Sequence, residues 1–210
     1  GVRPIAPDAH ALVSPVDGTV SQLGRMTAGA LLQAKGMQYS CAGLLADVTA
    51  AARYHEGSFA CLYLAPYNYH RIHMPCDAVL RATRYVPGQL FSVNAATART
   101  VPDLFARNER VVCEFDTEDG PLCLVLVGAL FVGSIETVFA GEINPPPGRG
   151  GKVRLIEAGV GRTFRRGEER ARFNMGSTVI VLTGKAVAFA PRVEPGEPVR
   201  LGQLLARFGA

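Results

Sequence analysis

Three places in the 210-residue chain carry residue types that could do chemistry. Asp17 sits in the turn-forming run Ser14-Pro15-Val16-Asp17-Gly18. An aspartate there either bonds its own turn or orients a catalytic base. His70 and His73 are two of only four histidines. On a helix, a spacing of three would put both rings on one face and suit zinc. Pro66 and Pro75 bound this stretch and argue for non-helical chain, in which the two rings point to opposite faces, so no metal site is expected. An unperturbed histidine titrates near neutral pH and so makes a natural base; a pair of satisfied structural histidines is the alternative. The third place is Gly176-Ser177-Thr178, ahead of the apolar run Val179-Ile180-Val181-Leu182. By default this is a turn entering a strand. A Gly–Ser bond also permits an acyl shift from nitrogen to oxygen, because glycine leaves the approach to its carbonyl open. That attack needs a base to take the serine proton and a carboxylate to orient the base. His73 and Asp17 would fill these roles if the fold brings them to Ser177.

The elements that must do this read as mostly β. Glycine (23) and proline (14) are frequent enough to disfavour a helical bundle and to suit short strands joined by tight turns. Strands are expected at Thr19-Val20, Phe59 to Leu64, Val79 to Val86, Val111 to Phe115 and Leu122 to Val132. Glu136 to Phe139 is expected to continue the sheet, and Val179 to Leu182 and Val187 to Phe189 supply further strands. Leu44, Leu45, Val48, Ala51 and Ala52 recur at helical spacing, predicting a short helix over Gly43 to Arg53. Val101 to Arg107 reads as one or two helical turns. Asn144 to Gly151, with three consecutive prolines, reads as a surface loop.

At the C-terminal end, Pro195-Gly196, Val199, Gly202 and Leu205 follow a pattern that resembles the turn and strand of biotinyl and lipoyl carrier domains. Pro15 to Val20 resembles the opening strand of such a module. The two ends of the chain are therefore expected to close one β sandwich. A carrier would need a lysine in a Met-Lys-Met setting, and Lys35, Lys152 and Lys185 have none.

Composition narrows the function classes. A hydrophobic content of 48% excludes a disordered chain, and a net charge of +4 is too small to argue for nucleic acid. No segment reaches the roughly 18 uninterrupted apolar residues of a membrane helix. The chain opens on Gly1 with nothing that reads as a signal peptide, compatible with removal of an upstream segment. Five cysteines, an odd count with no CxxC pair, argue against a disulfide scaffold or structural zinc and fit a reducing compartment.

Several motifs together carry a family resemblance. They are Pro15-Val16-Asp17-Gly18, Tyr69-His70-Arg71-Ile72-His73-Met74-Pro75, Tyr85-Val86-Pro87-Gly88 and Leu90-Phe91-Ser92-Val93-Asn94. Phe105-Ala106-Arg107-Asn108-Glu109-Arg110, Val132-Gly133-Ser134-Ile135-Glu136-Thr137-Val138 and Gly176-Ser177-Thr178 complete the set. With them the chain resembles, over nearly its whole length, the bacterial phosphatidylserine decarboxylases of the membrane-associated, pyruvoyl-dependent type. Met175 stands where that family commonly has leucine, and the family's N-terminal region, which contributes membrane association, is missing.

The resemblance implies an α+β, mainly β fold. Antiparallel strands would form a barrel-like or sandwich-like core with a few short helices, and the C-terminal strands would complete a core shared with the N-terminal part. It implies a single catalytic domain over 1–210 that cuts itself between Gly176 and Ser177 into 1–176 and 177–210. Asp17, His73 and Ser177 match the family's charge relay for that cut. Ser177 would become a covalent pyruvoyl group, the cofactor on which phosphatidylserine is decarboxylated to phosphatidylethanolamine through a Schiff base. His70 matches the histidine assigned to decarboxylation and supplies the proton.

Phe91, Ser92 and Asn94 are candidates for substrate binding, with ordinary core packing of the Leu90–Val93 stretch as the alternative. Arg165 and Arg166 lie in Arg162 to Arg172, a run of five arginines and two glutamates that could meet anionic headgroups or be a solvated loop. The implied partners are phosphatidylserine in an anionic membrane and the two cleaved chains as an αβ heterodimer. A higher homo-oligomer stays open, and no nucleic acid is expected. The implied location is peripheral, on the cytoplasmic face of the bacterial inner membrane. A carrier or adaptor and a Ser-His-Asp hydrolase remain rival readings.

Overall fold

The computed structural model describes residues 3–34, 36–129, 135–143, 151–173 and 177–209. Gly176, the end of the apolar run beyond 129, the Val132-Gly133-Ser134 part of its motif and nearly all of the expected loop at 144–151 lie outside these.

The chain enters through β1 (Ala11–Val13), turns at Ser14 to Asp17 and runs out along β2 (Gly18–Arg25) into the hairpin β3 (Ala30–Ala34) and β4 (Met37–Ser40). Where one helix is expected over Gly43 to Arg53, there are two: α1 (Cys41–Leu45) and α2 (Val48–Ala51), the second followed by a 3-10 turn at Ala52–Tyr54. The apolar spacing is helical, but Asp47 accepts a hydrogen bond from Ala50 N at 2.9 Å and so starts a new helix. Ala46, at φ 51°, closes the first in the left-handed region.

Then come β5 (Ser58–Leu64), β6 (Arg71–His73), β7 (Ala78–Val86), α3 (Ala95–Ala98), α4 (Leu104–Arg107) and the hairpin β8 (Arg110–Thr117) and β9 (Gly120–Val127). The short strands β10 (Ile135–Thr137), β11 (Gly141–Ile143), β12 (Arg154–Ile156) and β13 (Thr163–Phe164) precede β14 (Glu169–Phe173). The chain ends through β15 (Ser177–Thr183), β16 (Ala188–Phe189), β17 (Pro198–Val199) and β18 (Leu204–Arg207).

The large antiparallel sheet runs β12-β7-β8-β9-β15-β5-β2-β17, with β13 also on β7. Its central strands are continuous apolar runs because both faces are buried. Leu122, Leu124 and Leu126 of β9 and Val179 and Val181 of β15 pack into one core, while Cys123, Val125, Val127, Ile180 and Leu182 pack into a second on the other side. The first core lies between this sheet and two smaller ones, β11-β10-β14-β6 and β1-β18-β16. The second lies under α1, α2, α4 and the β3–β4 hairpin.

The stretch expected to extend the large sheet at Glu136 to Phe139 is instead β10 of the four-stranded sheet, paired with β14. Period-two alternation reads the same on either sheet, so only the partner strand decides. Among the described residues no sheet closes into a barrel, so the architecture is mainly β and sandwich-like with short helices. The chain ends meet as expected: β1 pairs with β18 and β2 with β17.

Candidate active site

One row of paired residues crosses six strands of the large sheet: Val86, Arg110, Val127, Thr178, Tyr63 and Thr19. Just past this row, β7 runs on to Phe91, β5 to His70, and β15 and β2 begin at Ser177 and Gly18. The residues singled out for chemistry are far apart in sequence, yet their chain segments leave the sheet at one end.

Ser177 opens β15 opposite Leu64 of β5, and Gly18 lies on the other side of β5. Asp17 and Ser177 therefore flank the same strand end, about 10 Å apart by strand spacing. A Cβ at Gly18 would stand 2.5 Å from the Tyr63 carbonyl, so only glycine lets β2 approach β5 this closely. The loop from Leu64 to His70 is tied down by Asn68, whose Oδ1 accepts from Ala65 N at 2.8 Å. Phe173 N donates to His70 O at 3.0 Å, so the residues on either side of 174–176 are held by the two ends of this loop.

His73 N donates to Pro15 O at 2.9 Å, which places β6 against the turn that carries Asp17. The His73 ring contacts Gly167 O through Nδ1 at 2.8 Å. A carbonyl only accepts, so Nδ1 carries the proton and Nε2 has the free lone pair of a base. The Tyr69 hydroxyl lies 3.5 Å from that Nε2, a weak contact. His70 is held the same way, its Nδ1 donating to Asn68 O at 2.6 Å. Its Nε2 is buried with no hydrogen-bond partner among the described residues.

Ser177 is fully buried and, among the described residues, its Oγ has no hydrogen-bond partner either; Thr178 Oγ1 shares that condition. A buried hydroxyl left unpaired costs about 1–3 kcal/mol, so an unsatisfied serine at this position calls for a functional reason.

Asp17 does not bond within its own turn. Its Oδ1 accepts from Leu201 N at 2.9 Å, tying the two ends of the chain, and both oxygens are held by the guanidinium of Arg3. Burial pushes its carboxyl up, but the Arg3 fork, the Leu201 N–H and the Arg3 and Arg200 charges outweigh this and leave it below the usual value. Among the described hydrogen bonds none joins Asp17 to His73.

The substrate-binding candidates divide. The Phe91 backbone is laddered to Asn108, whose amide also donates to Gly128 O at 2.9 Å, and Arg107 stacks on its ring at 4.8 Å. Ser92 Oγ accepts from Asn94 N at 3.5 Å, and Asn94 caps α3. The loop emerges three strands from Ser177. Arg165 is exposed, with its backbone N on Glu168. Arg166 donates to Asp8 O and lines a cleft of ≈ 350 Å³ with Cys76, Asp77 and Asp119. In the rest of that basic run, Arg162 pairs with Glu168, Arg172 pairs with Glu136, and Arg170 is fully buried against Phe139, Phe115 and Phe164. The run is thus largely neutralised or buried.

The cysteines are free thiols, and burial pushes Cys41, Cys61 and Cys76 up to about 12, so none is a nucleophile near neutral pH.

A family model described as phosphatidylserine decarboxylase matches residues 1–207. The chain belongs to the phosphatidylserine decarboxylase family. The phosphatidylserine decarboxylase proenzymes of Yersinia pestis (strain Pestoides F) and Yersinia pseudotuberculosis serotype O:1b (strain IP 31758) are each 52% identical over 213 residues. The match covers 98% of this chain and 72% of each relative. Sequence reasoning named Asp17, His70, His73 and Ser177 as candidates but did not reach what holds them in the fold. Arg3, Gly167 O and Asn68 O carry no motif of their own, and the backbone acceptors have no signature in residue type at all.

Proposed function

We propose that residues 1–210 act as a single catalytic domain that cuts itself at Gly176–Ser177 and then decarboxylates phosphatidylserine to phosphatidylethanolamine. The observation that carries this reading is the fully buried Ser177 hydroxyl, without a hydrogen-bond partner among the described residues, at the β5 strand end that the Asp17 turn flanks from the other side. The proenzyme name of the relatives supports the self-cleavage half of the reading.

In the first phase, His73 Nε2 takes the Ser177 proton while Nδ1–H stays on Gly167 O, and Asp17 supplies the negative charge beside the base. Ser177 Oγ attacks the Gly176 carbonyl, the Gly176–Ser177 C–N bond breaks as its nitrogen takes the proton back from His73, and an ester results. Loss of the Ser177 Cα proton with rupture of the Cβ–Oγ bond then releases 1–176 as a carboxylate and leaves dehydroalanine. Hydrolytic loss of ammonia leaves a pyruvoyl group at position 177. The group is made from Ser177 itself, so it needs no separate binding pocket, and among the described residues no hydrogen bond holds the reacting Oγ back. Once formed, the group supplies the electron sink that lets the substrate carboxylate leave as CO2. In the second phase His70, its Nδ1 anchored on Asn68 O, holds the proton for the product carbon on Nε2.

The chains 1–176 and 177–210 remain together as an αβ heterodimer. The enzyme works at a membrane surface because its substrate is a bilayer lipid, and the resemblance to the membrane-associated bacterial type supports a peripheral place on the cytoplasmic face of the inner membrane. No helix among the described residues is long and apolar enough to cross a membrane. Mass spectrometry of the purified protein tests the reading, together with product analysis on phosphatidylserine vesicles. A 34-residue fragment with a blocked, carbonyl-reactive first residue and phosphatidylethanolamine as product is the expected result. An intact chain with an acylated Ser177 would instead mark a hydrolase, and an intact, unreactive chain a carrier or adaptor.

A further inference from the structure

The segment ahead of β1 is a strap across the end of the molecule where these residues meet. Ala6 N donates to Gly202 O at 2.9 Å, and a Cβ at Gly202 would lie 2.7 Å from the Pro4 carbonyl. Two side chains of this anchored strap reach the site. Arg3 lays its guanidinium on Asp17, with Nη2 to Oδ2 at 2.5 Å and Nε to Oδ1 at 3.2 Å. Ile5 packs on the Gly167 turn, where a Cβ would meet its Cδ1 at 3.0 Å. Gly167 O is the acceptor that fixes the His73 ring. One strap thus braces both the carboxylate and the turn that orients the base.

An ionised carboxylate offers about four lone-pair positions. On Oδ1 they go to Arg3 Nε and Leu201 N; on Oδ2, Arg3 Nη2 takes one and leaves one open among the described contacts. A planar two-point fork fixes both oxygens in one orientation, which a point charge does not.

We propose that Arg3 is a positioning residue for self-cleavage. It keeps the Asp17 carboxylate ionised and locked in one orientation, acting through Asp17 without touching the reacting bond. This rests on the reading that Asp17, His73 and Ser177 perform the cut.

The test times the appearance of the 34-residue fragment across the acid-to-neutral range in the full chain carrying Arg3→Ala, Arg3→Lys or Asp17→Asn. Arg3→Ala should slow the cut by about tenfold or more at neutral pH, the scale of one charge-assisted fork. It should also move the acid limb of the rate profile upward, because Asp17 loses the partner that keeps it ionised. Arg3→Lys, retaining charge but not the fork, should keep the acid limb in place with an intermediate rate. A purely structural role would not produce this split, and it remains readable from Arg3→Lys alone if Arg3→Ala fails to fold.

The proposal is overturned if Arg3→Ala cuts at or above the wild-type rate, or if all variants lose the same factor at every pH. If Asp17→Asn cuts normally, the underlying reading fails as well. A blocked Asp17→Asn beside a normal Arg3→Ala sinks the Arg3 role alone.

Discussion

His70 and His73 lie three residues apart, yet their rings are fixed by different carbonyls, Asn68 O and Gly167 O. Both anchors use Nδ1, so each ring works through Nε2, and the two can serve separate steps. His73→Ala should abolish fragment formation on a gel. His70→Ala should still mature and lose about 10²–10⁴ in decarboxylation rate, the usual worth of one positioned proton donor. A reversed pattern would swap the two roles. Ser177 offers a second check at this scale. Its hydroxyl is buried and has no partner among the described residues, so Ser177→Ala removes an unsatisfied group. That variant should stay uncut and melt at or above the temperature of an uncut protein that retains the serine; a loss of about 2 kcal/mol or more would mean the hydroxyl has a partner.

Elements set the distances. β2 and β15 reach the site because each pairs with β5 near its end, at Tyr63 and Leu64. The β2–β5 approach depends on Gly18, where a side chain would collide with the Tyr63 carbonyl at 2.5 Å. Gly18→Ala should therefore cost about 1–3 kcal/mol in a denaturant melt, the scale of overpacking. It should also slow self-cleavage, because the displaced strand carries Asp17. A variant as stable and as fast-cutting as wild type would show that the strands tolerate a shift. The paired helices α1 and α2 teach a related lesson: the apolar spacing over Gly43 to Arg53 is legible, but the break is written in one cap, Asp47.

The whole molecule sets what the proposed cut would leave behind. β15 lies between β5 and β9 in the centre of the large sheet, and all seven of its residues are buried. Val179, Ile180, Val181 and Leu182 each contribute about 1.5–3 kcal/mol of burial, shared between two cores. The short chain also brings β18 to β1 and β17 to β2. The two products should co-elute in gel filtration and separate only in denaturant; a fragment that washes away under native conditions would contradict this.

The sequence alone determined the residue types able to cut and to shuttle protons, the β character, and the meeting of the chain ends. The first two rest on local chemistry and on periodicity, which are properties of the chain itself; the meeting of the ends rests on the resemblance of both ends to a carrier module. The tertiary structure decided which strands became neighbours, that Glu136 serves the smaller sheet, and that the basic run at 162–172 is mostly paired or buried. It also decided that Arg3 and Leu201 hold Asp17. Such contacts join positions up to 184 residues apart through backbone atoms and single charges, and nothing in a residue's own type announces which distant partner it will meet.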